Sequence, residues 1–203
     1  MHKILLIGAG GHARSCIDVI EELGQFEIAG LIEKNEKKID RNLGYDIIGT
    51  DNDLEYLRTK YDKALITVGQ IKSPVIRMNL YKQLKRFDFI LPVIISSKAY
   101  VSKHTQIGDG SIIMNGAIVN ANAEIGINCI INTRALIEHD AIIGDHCHIS
   151  TGAIINGEAS VGDKTFIGSG TITKQYISIG NNCIIGSGVS LKHDVGSNQV
   201  IKN

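Results

Sequence analysis

Ile125-Gly126-Ile127-Asn128-Cys129-Ile130-Ile131-Asn132-Thr133-Arg134-Ala135-Leu136-Ile137-Glu138-His139-Asp140-Ala141-Ile142-Ile143 is the stretch whose spacing decides the fold. Ile125, Ile131, Ile137 and Ile143 stand six apart. The same step runs from Ile95 to Leu191, where sixteen of seventeen positions are aliphatic and Thr173 is the exception. Gly108, Gly126, Gly144, Gly162 and Gly180 superimpose a period three times as long. A six-residue step fits neither the 3.6-residue helix nor a continuous alternating strand. It fits a triangular solenoid in which three short strands, each ending at a corner, make one coil. The expectation over residues 94–203 is therefore an all-β parallel β-helix. Four positions after each aliphatic the residue is small, from Ser111 through Ala117, Ala123, Cys129, Ala135, Ala141, Cys147, Ala153 and Ala159 to Thr165, as a crowded interior corner requires. Cys129, Cys147 and Cys183 fall in this column and read as packing residues rather than ligands or nucleophiles.

Upstream the rhythm changes. Residues 1–97 hold 27 charged side chains and residues 98–203 hold 15, so two architectures are expected. Over residues 1–93 the pattern is βα with a parallel sheet, a Rossmann-like α/β domain. Strands are predicted at Lys3–Ile7, Phe26–Ile32, Tyr45–Gly49 and Ala64–Val68, and helices over 13–23, 53–60 and 74–87. Cys16 falls in the first helix and reads as core.

The chain has 203 residues, 21 basic and 21 acidic, with 43% hydrophobic composition. With no basic excess there is no electrostatic footprint for nucleic acid, and with no charge blocks there is no case for disorder. Apolar runs fall far short of the roughly 20 residues of a membrane helix, and no signal-peptide pattern opens the chain. A cytoplasmic protein with four reduced thiols is expected.

The loop Gly8-Ala9-Gly10-Gly11-His12-Ala13 follows a strand and opens a helix, and Glu33 lies 20 residues beyond Ala13. This matches the dinucleotide fingerprint, in which glycines admit a phosphate to a helix N-terminus. Fewer than a hundred residues precede the solenoid, enough for one mononucleotide-binding half, so a nucleotide with a single base fits better than a nicotinamide dinucleotide. The alternative is a glycine turn with no ligand. Glu33 is either a ribose or base contact or a solvated charge opening the run Glu33-Lys34-Asn35-Glu36-Lys37-Lys38. His12 is either a phosphate or sugar ligand or a surface residue at the helix start.

Within the solenoid, Glu138-His139-Asp140 is the most reactive constellation. With three hexapeptides to a coil, His139 stacks between Ala121 and Gly157 and Glu138 between Asn120 and Asn156, leaving the imidazole space for a substrate. Asp140, or else Glu138, can hold the ring in one tautomer, as a general base requires. The alternative is a surface histidine in a polar turn. His148 lies among Ile112, Ile130, Phe166 and Ile184 and demands a hydrogen-bond partner or a ligand. His146 aligns with Gly110, Asn128, Lys164 and Asn182 and reads as a solvated turn residue. The spacings of His139, His146 and His148, seven and two, do not reproduce the zinc pattern of gamma-class carbonic anhydrases, and no metal is expected.

The Gly-Ala-Gly-Gly-His loop on a short βα domain, followed by hexapeptides containing Asn132-Thr133-Arg134-Ala135-Leu136-Ile137-Glu138-His139-Asp140, resembles the NeuD/PglD family of bacterial sugar acetyltransferases over nearly the whole chain. The resemblance implies a left-handed β-helix, a homotrimer with active sites between subunits, and acetyl-CoA as donor. It makes His139 the general base with Asp140 as its partner, where many relatives carry Glu. It sets Asn132 at a polar active-site position, His148 near the acetyl-CoA sulfur, and the Gly157 backbone as donor to the thioester carbonyl. In relatives that bind nucleotide-linked sugars, Gly8, Gly10, Gly11, His12, Glu33, Gly69 and Gln70 would hold uridine and phosphates, although Gln70-Ile71 departs from the usual residues there. The Gly-x-Pro-Ala-Lys tail of relatives is absent beyond Val200, which the resemblance reads as either weaker acetyl-CoA binding or a truncated product. The activity implied is N-acetylation of a UDP-linked 4-amino-sugar. The rival is O-acetylation of sialic acid. From another class comes a non-catalytic nucleotide-sugar-binding partner.

Overall fold

A computed structural model describes residues 2–34 and 41–202. The chain divides into two compact units. One runs to Gly69 and resumes over Val75–Pro92, and the other takes Gln70–Pro74 together with the chain from Val93 onward. Asn35 to Lys38 of the charged run lie outside the described residues.

In the α/β unit the apolar run ending in Ile7 forms β1 (His2–Ile7), followed by α1 (Gly11–Leu23), β2 (Phe26–Ile32), β3 (Arg41–Asn42), β4 (Tyr45–Gly49), α2 (Leu54–Arg58), β5 (Lys63–Ile66) and α3 (Val75–Arg86). The sheet order is β3-β4-β2-β1-β5. It is parallel, as expected, except at its edge, where the short β3 pairs antiparallel with β4. Strand β1 lies between its sequence successor β2 and the distant β5, and its carboxyl end is thus the point where the winding reverses, the usual place for a ligand in such sheets. Helix α1 turns Cys16, Ile17, Val19 and Ile20 inward and ends at Gly24 in the left-handed conformation (φ 64). Glycine at that position is the common helix stop.

The second unit is the solenoid. Two-residue strands stack as three parallel sheets of seven, six and five strands, separated by turns. The first face carries Ile112–Ile113, Ile130–Ile131, His148–Ile149 and Phe166–Ile167. The second carries Tyr100–Val101, Ile118–Val119, Leu136–Ile137, Ile154–Ile155 and Ile172–Thr173. The third carries Gln106–Ile107, Glu124–Ile125, Ile142–Ile143 and Ser160–Val161. Each pairing advances by one full coil, as in Ile118 with Leu136 and Ile130 with His148. The aliphatic column is the core, with Ile113, Val119, Ile131, Ile137, Ile149 and Ile155 fully buried; each such side chain contributes about 1.5–3 kcal/mol.

The small-residue corner is also a hydrogen-bond ladder. Ser111 Oγ, Cys129 Sγ, Cys147 Sγ, Thr165 Oγ1 and Cys183 Sγ donate to the carbonyls of Gly126, Gly144, Gly162, Gly180 and Gly196, at 2.8, 3.1, 3.1, 2.9 and 3.1 Å. Buried carbonyls need such partners, which explains why this column carries hydroxyls and thiols. At the next corner position, Asp145 and Asp163 accept from the backbone N–H groups of Ile127 and Asp145, at 2.9 and 2.8 Å. A Cβ on Gly126 would stand 2.4 Å from Asp145 Oδ1, so the glycine column makes room for this ladder.

Candidate active site

His139 stands at the turn after Leu136–Ile137 on the second face. Its Nδ1 lies 2.8 Å from Asp140 Oδ2, and Asp140 Oδ1 accepts from Asn122 Nδ2 at 2.6 Å. Asp140 occupies the left-handed conformation (φ 59), which Asp tolerates and which lets adjacent side chains meet. The carboxylate fixes the Nδ1–H tautomer and leaves Nε2 as the basic nitrogen. Its hydrogen bond raises the pKa of His139, with Asp140, Glu138 and Glu158 adding charge. The Asn122 amide and then the imidazole lower that of Asp140. Glu138 is engaged elsewhere, accepting from Asn120 Nδ2 at 2.8 Å. The imidazole partner is thus Asp140.

A Cβ built on Gly157 would lie 2.9 Å from His139 Nε2. The glycine is therefore what keeps the basic nitrogen open, and any side chain there would displace it. Among the described residues, nothing accepts from the Gly157 N–H. Glu138, His139, Asn156, Gly157, Gln175 and Tyr176 line an open cleft of ≈ 330 Å³. Asn156 is held by the one break in the aliphatic column. Its N–H donates to Thr173 Oγ1 at 2.9 Å and its side-chain amide to Thr173 O at 2.6 Å, and Thr173 is buried. Sequence reasoning missed Asn156, Gln175 and Tyr176, yet the missing aliphatic at Thr173 marked the coil.

His148 is 6% exposed and fully engaged. Nδ1 lies 2.5 Å from the Gln70 carbonyl, which can only accept, so Nε2 is the acceptor for Asn132 Nδ2 at 3.0 Å. Phe166 meets the ring edge-on at 5.3 Å. His139 and His148 occupy different faces of the coil, and within one chain the structure does not unite Asn132 and His148 with the His139 corner. His146 takes the turn conformation expected (φ 58), but it is buried, only 8% exposed, and meets Asn128 Nδ2 at 3.0 Å, so the expected solvated residue is corrected. Ile112 and Ile130, the apolar neighbours of His148 in its column, are fully buried. An apolar stripe lies on the second face, where Tyr100, Ile118, Leu136, Ile154 and Ile172 point outward in register, with Tyr100, Ile118 and Ile172 exposed.

In the α/β unit, Gly8, Gly10, Gly11, His12, Glu33 and Gly69 converge at the carboxyl end of β1. Gly8 is in the left-handed region (φ 111), and a Cβ there would strike Val68 Cγ2 at 2.6 Å. Gly10 and Gly11 face open space, and α1 begins without a side-chain cap. Its N-terminal donors and dipole suit an anion. Glu33 Oε2 accepts from Ala9 N at 2.9 Å, so the acid grips the loop. Asn42, on β3, donates to Ala9 O at 2.8 Å and accepts from Arg14 Nε at 3.0 Å; only its place in an Asn-Leu-Gly turn signalled it. Gly69 packs 3.5 Å from His12, measured from an added Cβ. Gln70 goes to the solenoid unit, where it is buried and donates to His146 O at 3.0 Å. Among the described residues no cluster could hold a metal, and no helix is long and apolar enough to cross a membrane.

The PglD N-terminal domain family matches residues 3–84, and the hexapeptide repeat of succinyl-transferase matches residues 158–192. The acetyltransferase domain of PglB from Neisseria gonorrhoeae, in complex with acetyl coenzyme A, superposes with a TM-score of 0.90 at 28% identity, over 98% of this chain and 95% of that one. PerB from Caulobacter crescentus, in complex with CoA and GDP-perosamine, gives a TM-score of 0.91 at 27% identity, over 98% and 93%. WeeI from Acinetobacter baumannii shares the fold at 22% identity and a TM-score of 0.86, over 100% and 98%. No curated protein matches the sequence. The fold and site define a hexapeptide-repeat acyltransferase, a left-handed β-helix behind an α/β domain. Across its length the chain is similar to sugar acetyltransferases of the NeuD/PglD kind, the family that the sequence resembles.

Proposed function

We propose that this chain transfers the acetyl group of acetyl-CoA to the amino group of a UDP-linked 4-amino-sugar in bacterial surface-glycan biosynthesis. One observation carries the reading: a carboxylate-held histidine whose free nitrogen opens over Gly157, in a chain similar throughout to acetyltransferases solved with acetyl-CoA or with CoA and a nucleotide-linked amino sugar. The neutral amine attacks the thioester carbon while His139 Nε2 takes an amine proton. The Gly157 N–H donates to the developing oxyanion. When the tetrahedral intermediate collapses the C–S bond breaks, and coenzyme A leaves as the thiol with the proton from Nε2. Asp140 offsets the imidazolium charge in between. Coenzyme A is a co-substrate, and no metal enters the reaction.

The nucleotide is assigned to Gly8, Gly10, Gly11, His12 and Glu33, with Gly69 alongside. Gln70 supports the site only through its carbonyl contact with His148. Asn132 fixes His148, which the resemblance sets near the coenzyme A sulfur. The placement of His139 and His148 on different faces fits a homotrimer, in which one copy's first face completes the next copy's His139 corner. The apolar stripe beside that corner is the surface such an assembly would bury. Four buried free thiols suit a reducing cytoplasm. The test is coenzyme A release with UDP- and GDP-linked amino sugars and with free sialic acid. Release with a UDP-amino sugar supports the reading, and release with sialic acid alone replaces it with O-acetylation.

A further inference from the structure

The far wall of the His139 cleft is built against conformational preference. Asn122, Asp140, Glu158 and Tyr176 stand at the same corner of four successive coils, and all four are left-handed, with φ of 60, 59, 57 and 63. Short polar side chains such as Asn and Asp visit this region readily, whereas a bulky aromatic there is strained. Within one chain, packing gives Tyr176 little in return. Its side chain is 68% exposed, and among the described residues its one hydrogen bond is from its backbone N–H to Gly157 O at 3.1 Å. A strained residue kept at a functional cleft invites a functional explanation.

The geometry of the cleft gives one. His139, Gly157 and Gln175 occupy the same position on three successive coils, and Tyr176 follows Gln175. Because Gly157 has no side chain, the His139 ring lies over it, and a bay remains between that ring and the Gln175-Tyr176 turn one coil further on, about 5 Å along the axis. The open cleft of ≈ 330 Å³ leaves room for one sugar ring to enter from the solvent side. Glu138, His139, Asn156 and Gln175 offer polar groups, and among the described residues Tyr176 brings the one phenol ring to its lining. A pyranose has the matching character, with hydroxyls at its edge and apolar C–H groups on its faces, which aromatic rings cover well.

We infer that Tyr176 is the platform on which the acceptor sugar ring rests, a specificity-determining residue that presents the acceptor amine to His139. This rests on the acetyl-transfer reading given above. The step is one of positioning and involves no chemistry of the phenol. Phenylalanine should therefore serve as well as tyrosine.

The experiment compares the unmodified enzyme with Tyr176→Gly and Tyr176→Phe, using acetyl-CoA and a UDP-linked 4-amino-sugar. Glycine is at ease at this backbone conformation, so Tyr176→Gly should not lower the melting temperature or change the oligomer mass. The sugar KM should rise about tenfold, equivalent to about 1.4 kcal/mol, while the acetyl-CoA KM and the kcat at saturating sugar stay within about threefold. Tyr176→Phe should restore the sugar KM. An unchanged sugar KM, a rise in the acetyl-CoA KM instead, or dissociation of the oligomer overturns the inference while leaving acetyl transfer standing. If the unmodified enzyme releases no coenzyme A with any amino sugar, both readings fall together.

Discussion

Asn122 and Asp140, one coil apart, are joined by a 2.6 Å hydrogen bond, so the carboxylate that holds His139 is itself held. His139, the proposed base, is the end of a chain of orientation running across two coils. Each link has a separate consequence for activity against pH.

His139 acts as a base only when neutral, so kcat/KM should rise with pH through its raised pKa. Asp140→Asn removes the first cause of that elevation. The acidic limb should move to lower pH while the plateau falls, by less than the loss from removing His139. Asn122→Gly keeps the left-handed backbone and loses only the amide, and a smaller fall in the plateau is expected. A pH–rate profile checks both, and a limb that moves to higher pH in Asp140→Asn contradicts the assignment.

The two glycines of the nucleotide loop should separate folding from binding. A Cβ on Gly10 meets nothing within 4 Å, so Gly10→Val should fold normally yet fill the space before α1 and abolish UDP binding. Acetyl-CoA binding should persist. Gly8→Ala puts a methyl group 2.6 Å from Val68 Cγ2 at φ 111 and should cost about 1–3 kcal/mol of stability. Calorimetry with UDP and thermal melts of the two variants distinguish these outcomes.

All four cysteines are fully buried, and burial pushes the Cys16 thiol up to about 12. Native protein should therefore give almost no reaction with a thiol reagent at pH 8, and four equivalents after denaturation. A fast-reacting thiol in the native state would contradict the corner-packing account.

The second face should hold the assembly together. Three chains of 22.0 kDa predict roughly 66 kDa by light scattering at micromolar concentration. Ile118→Glu, in the middle of the apolar stripe, should shift the mass toward the single chain and remove activity with it. A single-chain mass for the unmodified protein rejects the shared site.

The solenoid was legible because its repeat is local: a six-residue step constrains every strand, and the coil-on-coil stacking that puts Gly157 against His139 follows from arithmetic. Strand β2 was legible for the same reason, whereas α1 begins at Gly11, two residues before the expected Ala13. What depended on distant chain was not. Nothing near His148 announces that its partner is the carbonyl of Gln70, far back in the chain. The covering of Ile112 and Ile130 could not be told from the exposure of Ile118 and Ile172, since periodicity distinguishes inward from outward but not one outward face from another. Glu33 reads either as a ribose or base contact or as a solvated charge, and neither reading announces that it accepts from Ala9 N–H, a contact set by sheet geometry. Thr173 looked like a flaw in a repeat and is the residue that holds Asn156 in the cleft.

The most direct test is coenzyme A release by the unmodified protein and by His139→Ala, with acetyl-CoA and a UDP-linked 4-amino-sugar and with mass spectrometry of the sugar product. An N-acetylated sugar nucleotide is expected from the unmodified protein. In His139→Ala the kcat should be about 10²- to 10⁴-fold lower, with the acetyl-CoA KM little changed. Near-normal turnover by His139→Ala would contradict the assignment of His139 as the base.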